Sequence, residues 1–207
     1  MTTRAAFYVD GFNVYHSLDD LKKPHFKWLD WWSLGELLIP SQSQTLVRVA
    51  MCTAVKATDT QKLLRHRAYL RALESKGVDC LRGHFIDEDR DCRACGHKWR
   101  APVEKQGDVN LAISLIGDAH KDIFDHAYLV TADSDQAATA RMFKADFPAK
   151  RLTTVVITGR SHSKEILNLA DAKMTVNESH IERSLFPRLI PGANAILRPA
   201  EYDPPGT

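Results

Sequence analysis

Two runs in this chain, Tyr128-Leu129-Val130 and Val155-Val156-Ile157, are apolar at every position. A strand with one face in water alternates apolar and polar residues, whereas a strand that is apolar throughout must be covered on both faces. Strands of that kind confine a chain to layered architectures in which helices flank a sheet. The surrounding pattern agrees. Strand-like runs fall at Ala5–Val9, Thr45–Val55, Val78–Phe85, Ala127–Thr131 and Thr153–Ile157, with a weaker one at Lys173–Val176. Between them lie helical stretches near Trp31–Ile39, Asp59–Lys76, Gly107–Lys121, Ser134–Phe147, His162–Ala170 and Glu178–Leu189. This alternation predicts an α/β sandwich built on a mostly parallel central sheet.

Length and composition set the remaining bounds. The 207 residues suit one domain, and 44% hydrophobic with 26% charged residues supplies a core and excludes disorder. The body is expected over residues 1–190, with a polar, cysteine-containing insert at 86–104. A tail at 191–207, holding Pro191, Pro199, Pro204 and Pro205, should be extended and draped over the body. No apolar run approaches the ~18 residues that cross a bilayer. Met1-Thr2-Thr3-Arg4 leads directly into a strand without a signal-peptide core, so a cytoplasmic protein without membrane contact is expected. A net charge of +2 announces no polycationic field, although a local basic face is compatible with it.

Ligands of open α/β sheets bind at the carboxyl ends of the strands, where the strand order reverses. Sorted by that rule, Asp10 ends the first strand and Asp133 ends the strand holding Tyr128-Leu129-Val130, with Asp135 two residues on. Asp108 opens the helix Gly107–Lys121 and, at 100° per residue, points between Leu111 and Leu115 on its apolar face. Asp118, ten residues further, is ~15 Å away along the axis and is too distant to share a ligand with it. Singly, these residues read as turn formers and helix caps. Together, converging carboxylates repel one another and ask for Mg²⁺ or Mn²⁺. Lys105, three residues before Asp108, is the cation expected beside them.

The segments Val9-Asp10-Gly11-Phe12-Asn13-Val14-Tyr15, Glu104-Lys105-Gln106-Gly107-Asp108-Val109-Asn110 and Thr131-Ala132-Asp133-Ser134-Asp135 resemble, in order, the motifs of the NYN domain. This is a branch of the PIN-like nuclease fold, close to the LabA-like group. The resemblance implies a Rossmann-like, three-layer sandwich whose acidic pocket binds Mg²⁺ or Mn²⁺ and hydrolyses RNA. Asp10, Asp108, Asp133 and Asp135 would then be metal-binding and catalytic, with Asn13, Lys105 and Ser134 as pocket residues and Asp171 as a second-tier acid. Ala132 departs from the glycine usual before the first aspartate of the third motif. The expected protein is a metal-dependent endoribonuclease with an RNA substrate. The alternative is a catalytically silent RNA-binding or regulatory adaptor on the same fold. Either reading is compatible with a homodimer or a regulatory protein partner. A phosphatase of the haloacid-dehalogenase type is disfavoured, because its second aspartate is replaced by Phe12.

Four cysteines are too few for a disulfide framework here and read as reduced thiols or metal ligands. Cys92-Arg93-Ala94-Cys95-Gly96-His97 is a knuckle of the kind that holds Zn²⁺. Such a site needs four ligands. Cys92, Cys95 and His84 are expected to supply three, with Cys80 or His97 as the fourth; a metal-free remnant is the bland reading. Cys52 lies in a strand and reads as core. The basic helix carrying Lys62, Arg65, Arg67, Arg71 and Lys76 reads as a solvated face unless it borders the acidic pocket. Trp28, Trp31 and Trp32 read as core packing rather than base stacking.

Overall fold

The structure, a computed structural model, describes residues 2–54 and 60–205. Val55 and Asp59, expected ends of a strand and a helix, lie outside the described residues. Seven strands form one sheet: β1 (Thr3–Asp10), β2 (Gln44–Ala54), β3 (Asp79–Asp91), β4 (Lys98–Lys105), β5 (His126–Val130), β6 (Arg151–Ile157) and β7 (Ala172–Val176). Their order is β4-β3-β2-β1-β5-β6-β7, and every pairing is parallel except β3 with β4. The helices are α1 (Gly11–Asp20), α2 (Trp31–Leu38), α3 (Thr60–Ser75), α4 (Gly107–His120), α5 (Ala137–Asp146), α6 (Lys164–Leu167) and α7 (Glu178–Arg183). None of the described helices is long and apolar enough to cross a membrane.

Alternation along β1 divides the interior into two cores. Ala5, Phe7 and Val9 face one layer with Trp28, Trp31, Leu34 and Leu73, while Ala6 and Tyr8 face the other with Leu111, Leu115, Leu129 and Phe143. β1, β5 and β6 are buried along almost their whole length, which is why their central runs, such as Tyr128-Leu129-Val130 and Val155-Val156-Ile157, are apolar rather than alternating. Trp28 and Trp31 are wholly buried, as their clustering predicts, and Phe7 stacks on Tyr128 with centroids 4.5 Å apart. The tail closes the first core. A two-residue ribbon pairs β8 (Leu189–Ile190) with β9 (Ile196–Leu197), and Tyr202 comes to rest against Trp28. The basic helix α3 serves this docking. Arg65 pairs with Glu201 at 2.7 Å, and Arg71 donates to the carbonyl of Asn194.

Two elements differ from the sequence expectation. Helix α1 follows β1 with no intervening loop, because the Asp10 carboxylate accepts from the Asn13 amide and caps it. Residues 86–104, expected as an insert, instead continue β3 to Asp91 and return as β4, forming a long antiparallel hairpin on the sheet edge.

The strand order places the site. From β1 the chain moves outward through β2 and β3 to β4, then returns through α4 to β5 on the other side of β1. The order therefore reverses between β1 and β5. At such a point the two connections leave in opposite directions and the carboxyl ends gape.

Candidate metal centre

Asp10 is the last residue of β1 and shares the face of Ala6 and Tyr8, the side covered by α4. It is buried. One carboxylate oxygen accepts the Asn13 amide at 3.0 Å and the other accepts the Thr131 hydroxyl at 2.8 Å. Thr131 Oγ1 in turn accepts the amide of Asp133, and Asn13 Oδ1 accepts the amide of Ala132 at 3.1 Å. The loops after β1 and β5 are thus laced together by side chains of the first and third motifs. Asn13 is both a cavity residue and the strut that fixes the neighbouring loop.

Asp108 arrives from the first turn of α4. Gln106, which precedes that helix, holds a left-handed backbone with φ of 75°, a conformation costing a non-glycine residue ~1–3 kcal/mol. Buried Gln136 donates to the Asp108 carbonyl at 3.2 Å and approaches its carboxylate at 3.5 Å. Asp10, Asp108 and Asp133 each present one oxygen within 4.8 Å of the others. Among the described residues no ion pair reaches any of the three. Burial, opposed by the two hydrogen bonds, raises the pKa of Asp10, and the charges of Asp108 and Asp133 add to the rise. Partial desolvation followed by the charge of Asp133 raises that of Asp108. Three hard oxygen ligands with uncompensated charge suit Mg²⁺ or Mn²⁺.

The three carboxylates line one side of a cavity of about 660 Å³. Phe12, His16 and Phe85 give it aromatic surface, and Arg90 and Arg160 give it positive charge. Arg160, from the loop after β6, is steadied by Asp20 at 2.5 Å, whereas Arg90 projects from the β3 hairpin. Of these five, the sequence marks Arg90 only among the basic residues of 86–104, and it does not single out His16, Phe85 or Arg160. Only Phe12, inside the first motif, carried a signal.

Several expected site residues lie elsewhere. Asp135 is exposed and outside the carboxylate group; its amide donates to Asp133, and its charge adds to the rise at Asp108. Asp108 is exposed at the cavity mouth rather than buried with Leu111 and Leu115, because it sits at the open end of α4. Ser134 is exposed and does not line the cavity. Lys105, whose pair across the hairpin is His84, turns along the strand to Glu88 at 2.6 Å. Asp171 lies at the opposite end of the sheet, where it binds Lys144 and the Leu152 amide. Asp118, set aside on distance, is buried with Arg48 and the Tyr8 hydroxyl.

The expected zinc ligand set does not assemble. His84 pairs with Lys105 at the base of the hairpin, eight residues and about 26 Å along the strand from Cys92. Its ring contacts Gln106 instead. Cys80 is further still, paired with Met51 inside the sheet. His97 is adjacent in sequence, but its ring stacks on Trp99, and no group of three metal-binding side chains forms there among the described residues.

No family model matches the chain. The chain is similar to 6-hydroxy-3-succinoylpyridine 3-monooxygenase HspA of Pseudomonas putida, at 25% identity over 96% of this chain and 75% of the relative. Among solved structures it resembles a protein of unknown function from Vibrio parahaemolyticus, with a TM-score of 0.60, 19% identity, and coverage of 89% of this chain and 97% of the other. That likeness supports the three-layer, Rossmann-like α/β fold. The enzyme relative corrects the functional expectation. It aligns along nearly the whole chain and is an oxidoreductase, so the reading as a ribonuclease, or as a silent RNA-binding adaptor, is overturned. The chain is related to an enzyme, and that enzyme is a monooxygenase rather than a hydrolase.

Proposed function

We propose that the cavity is the active site of a divalent-cation-dependent oxidoreductase that hydroxylates a small aromatic or heteroaromatic carboxylate. The observation that carries this reading is the pairing, in one cavity, of a three-carboxylate cluster with an aromatic and cationic wall. Flat rings stack well on Phe12 and Phe85. A carboxylate side chain matches the guanidinium forks of Arg90 or Arg160. The curated relative is named for a pyridine that carries both a ring oxygen and a succinoyl chain, a molecule with these two features.

Asp10, Asp108 and Asp133 would hold Mg²⁺ or Mn²⁺, which supplies positive charge for a ring oxygen and lowers the cost of its deprotonation. Each residue has its own part in that. Asp10 is fixed by Asn13 and Thr131 and is the rigid member; Asp108, at the exposed mouth, is the one that adjusts to a ligand. His16, exposed at the rim and in edge contact with Phe12 at 4.6 Å, is the candidate proton acceptor beside the aromatic wall.

The test is a panel of hydroxypyridines and hydroxybenzenes bearing carboxylate chains, offered with dioxygen, a reduced nicotinamide and Mn²⁺. A substrate mass gain of one oxygen atom, labelled from ¹⁸O₂ and lost in Asp10→Asn, is the expected outcome. Binding of Mn²⁺ without oxygen incorporation across the panel would overturn the reaction class. Absence of Mn²⁺ binding would overturn the centre itself.

A further inference from the structure

The hairpin of β3 and β4 ends in the knuckle Cys92–His97, which the cavity does not use. The turn is closed by two backbone hydrogen bonds, from Gly96 to the Cys92 carbonyl at 2.7 Å and from Cys92 to the His97 carbonyl at 2.8 Å. Gly96 takes a left-handed backbone, φ 69°, which lets the chain reverse directly after Cys95. The amides of Cys95 and Ala94 donate to the Cys92 sulfur, as does the Cys95 thiol. Amide donors on a cysteine sulfur are what a metal-bound thiolate needs around it. Both cysteines are free thiols and reachable from solvent.

This turn supplies two ligands where a structural zinc takes four. No other described residue completes it: among the described residues the only group of three or more metal-binding side chains is the distant aspartate cluster. We propose that the knuckle is half of a zinc site, and that Cys92 and Cys95 from two copies of this chain together form a Cys₄ tetrahedron at the meeting of their hairpin tips. A two-fold axis through the ion brings the same pair of thiolates from each copy, the isologous arrangement that closes a dimer. The tip also suits its own image. Asp89 and Asp91 sit on one strand, with Arg93 in the turn and Lys98 and Arg100 on the other strand, and of these acids Asp89 is paired within the chain, to Arg100 at 3.0 Å. Trp99, 43% exposed beside the knuckle, provides apolar area that such a contact would cover.

The site is tested by elemental analysis and light scattering on full-length protein purified in reducing buffer, then brought to one equivalent of zinc chloride. The expected result is a dimer holding one zinc per two chains, with four sulfurs at ~2.3 Å by X-ray absorption. A strong chelator should return the monomer, and Cys92→Ser with Cys95→Ser should abolish zinc and dimer together. Circular dichroism checks that this exposed turn has been changed without loss of fold. One zinc per chain in a monomer, a zinc-free intramolecular disulfide, or a dimer indifferent to chelator and to both substitutions would each overturn the proposal. The readouts are independent of Mn²⁺ binding and of oxygen incorporation, so the failure of one reading leaves the other standing.

Discussion

Asp108 carries a charge that its surroundings oppose, since partial desolvation and the neighbouring Asp133 both disfavour its ionised form. Its folded pKa therefore lies above the unfolded value of 3.8. For an acid with a raised pKa, the folded state holds the proton longer than the unfolded state does. Stability then falls as pH rises from the unfolded value through the folded one, and the metal-free protein bears a standing cost above that window. Asp108→Asn removes the charge, keeps the shape and keeps an acceptor for Gln136. In chelator the variant should melt at a higher temperature than the parent at pH 7, and the difference should close below about pH 4. Saturating Mn²⁺ should reverse the order. Melting curves from pH 3 to 8 decide this, and a variant less stable than the parent at pH 7 in chelator would show that the carboxylate is structural instead.

Helix α1 shows how closely the elements around the site are fitted. A Cβ on Gly11 would stand 2.6 Å from the Cys52 carbonyl and 2.9 Å from the Met51 side chain, and the carbonyl belongs to the backbone of β2, which cannot yield. Gly117, on the open side of α4, has no atom within 4 Å of the same position. Urea unfolding should give Gly11→Ala a loss of about 3 kcal/mol, with weaker Mn²⁺ binding because Asp10 and Asn13 flank the displaced turn. Gly117→Ala should gain about 0.5–1 kcal/mol from helix propensity alone. Equal effects at the two glycines would refute the close approach. The same helix marks where sequence reading falters. Gly11-Phe12-Asn13 are poor helix formers, and the turn starts on the N-cap bond from the Asn13 amide to the Asp10 carboxylate, a residue equally at home as the end of a strand. Strands β1, β5 and β6 are legible because burial on both faces leaves apolar runs in them, Ala5 to Val9, Ala127 to Val130 and Val155 to Ile157. β4 was hidden for the opposite reason: a hairpin exposed along most of its length has no apolar period to read.

The site gathers its carboxylates at the reversal of the strand order, and this part was readable because Asp10 closes the buried strand β1 and Asp133 comes three residues after the buried strand β5. That Arg90 and Arg160 reach the cavity was not readable. They come from a hairpin and from the loop after β6, and only the order β3-β2-β1-β5-β6 brings both to one cavity. Lys105 was misplaced because nearness in sequence to Asp108 does not fix which way a residue on an edge strand points. Because the carboxylates converge from β1, α4 and the loop after β5, an ion that joins them ties the two sides of the reversal together. Any ligand that binds only the folded chain stabilises it, by about 2.7 kcal/mol at a hundred times its dissociation constant. Mn²⁺ and Mg²⁺ should therefore raise Tm where Na⁺ at matched ionic strength does not. Protons compete for Asp10 and Asp108, both raised in pKa, so the gain should be larger at pH 8 than at pH 5. Asp133→Asn should remove most of it. Asp171→Asn, at the far end of the sheet, should shift the melt of parent and cation-loaded protein alike and leave the gain intact. A gain that survives Asp133→Asn, or one that Na⁺ matches, would mean that the cations act through general screening, and the three carboxylates would then be three separate caps and turns.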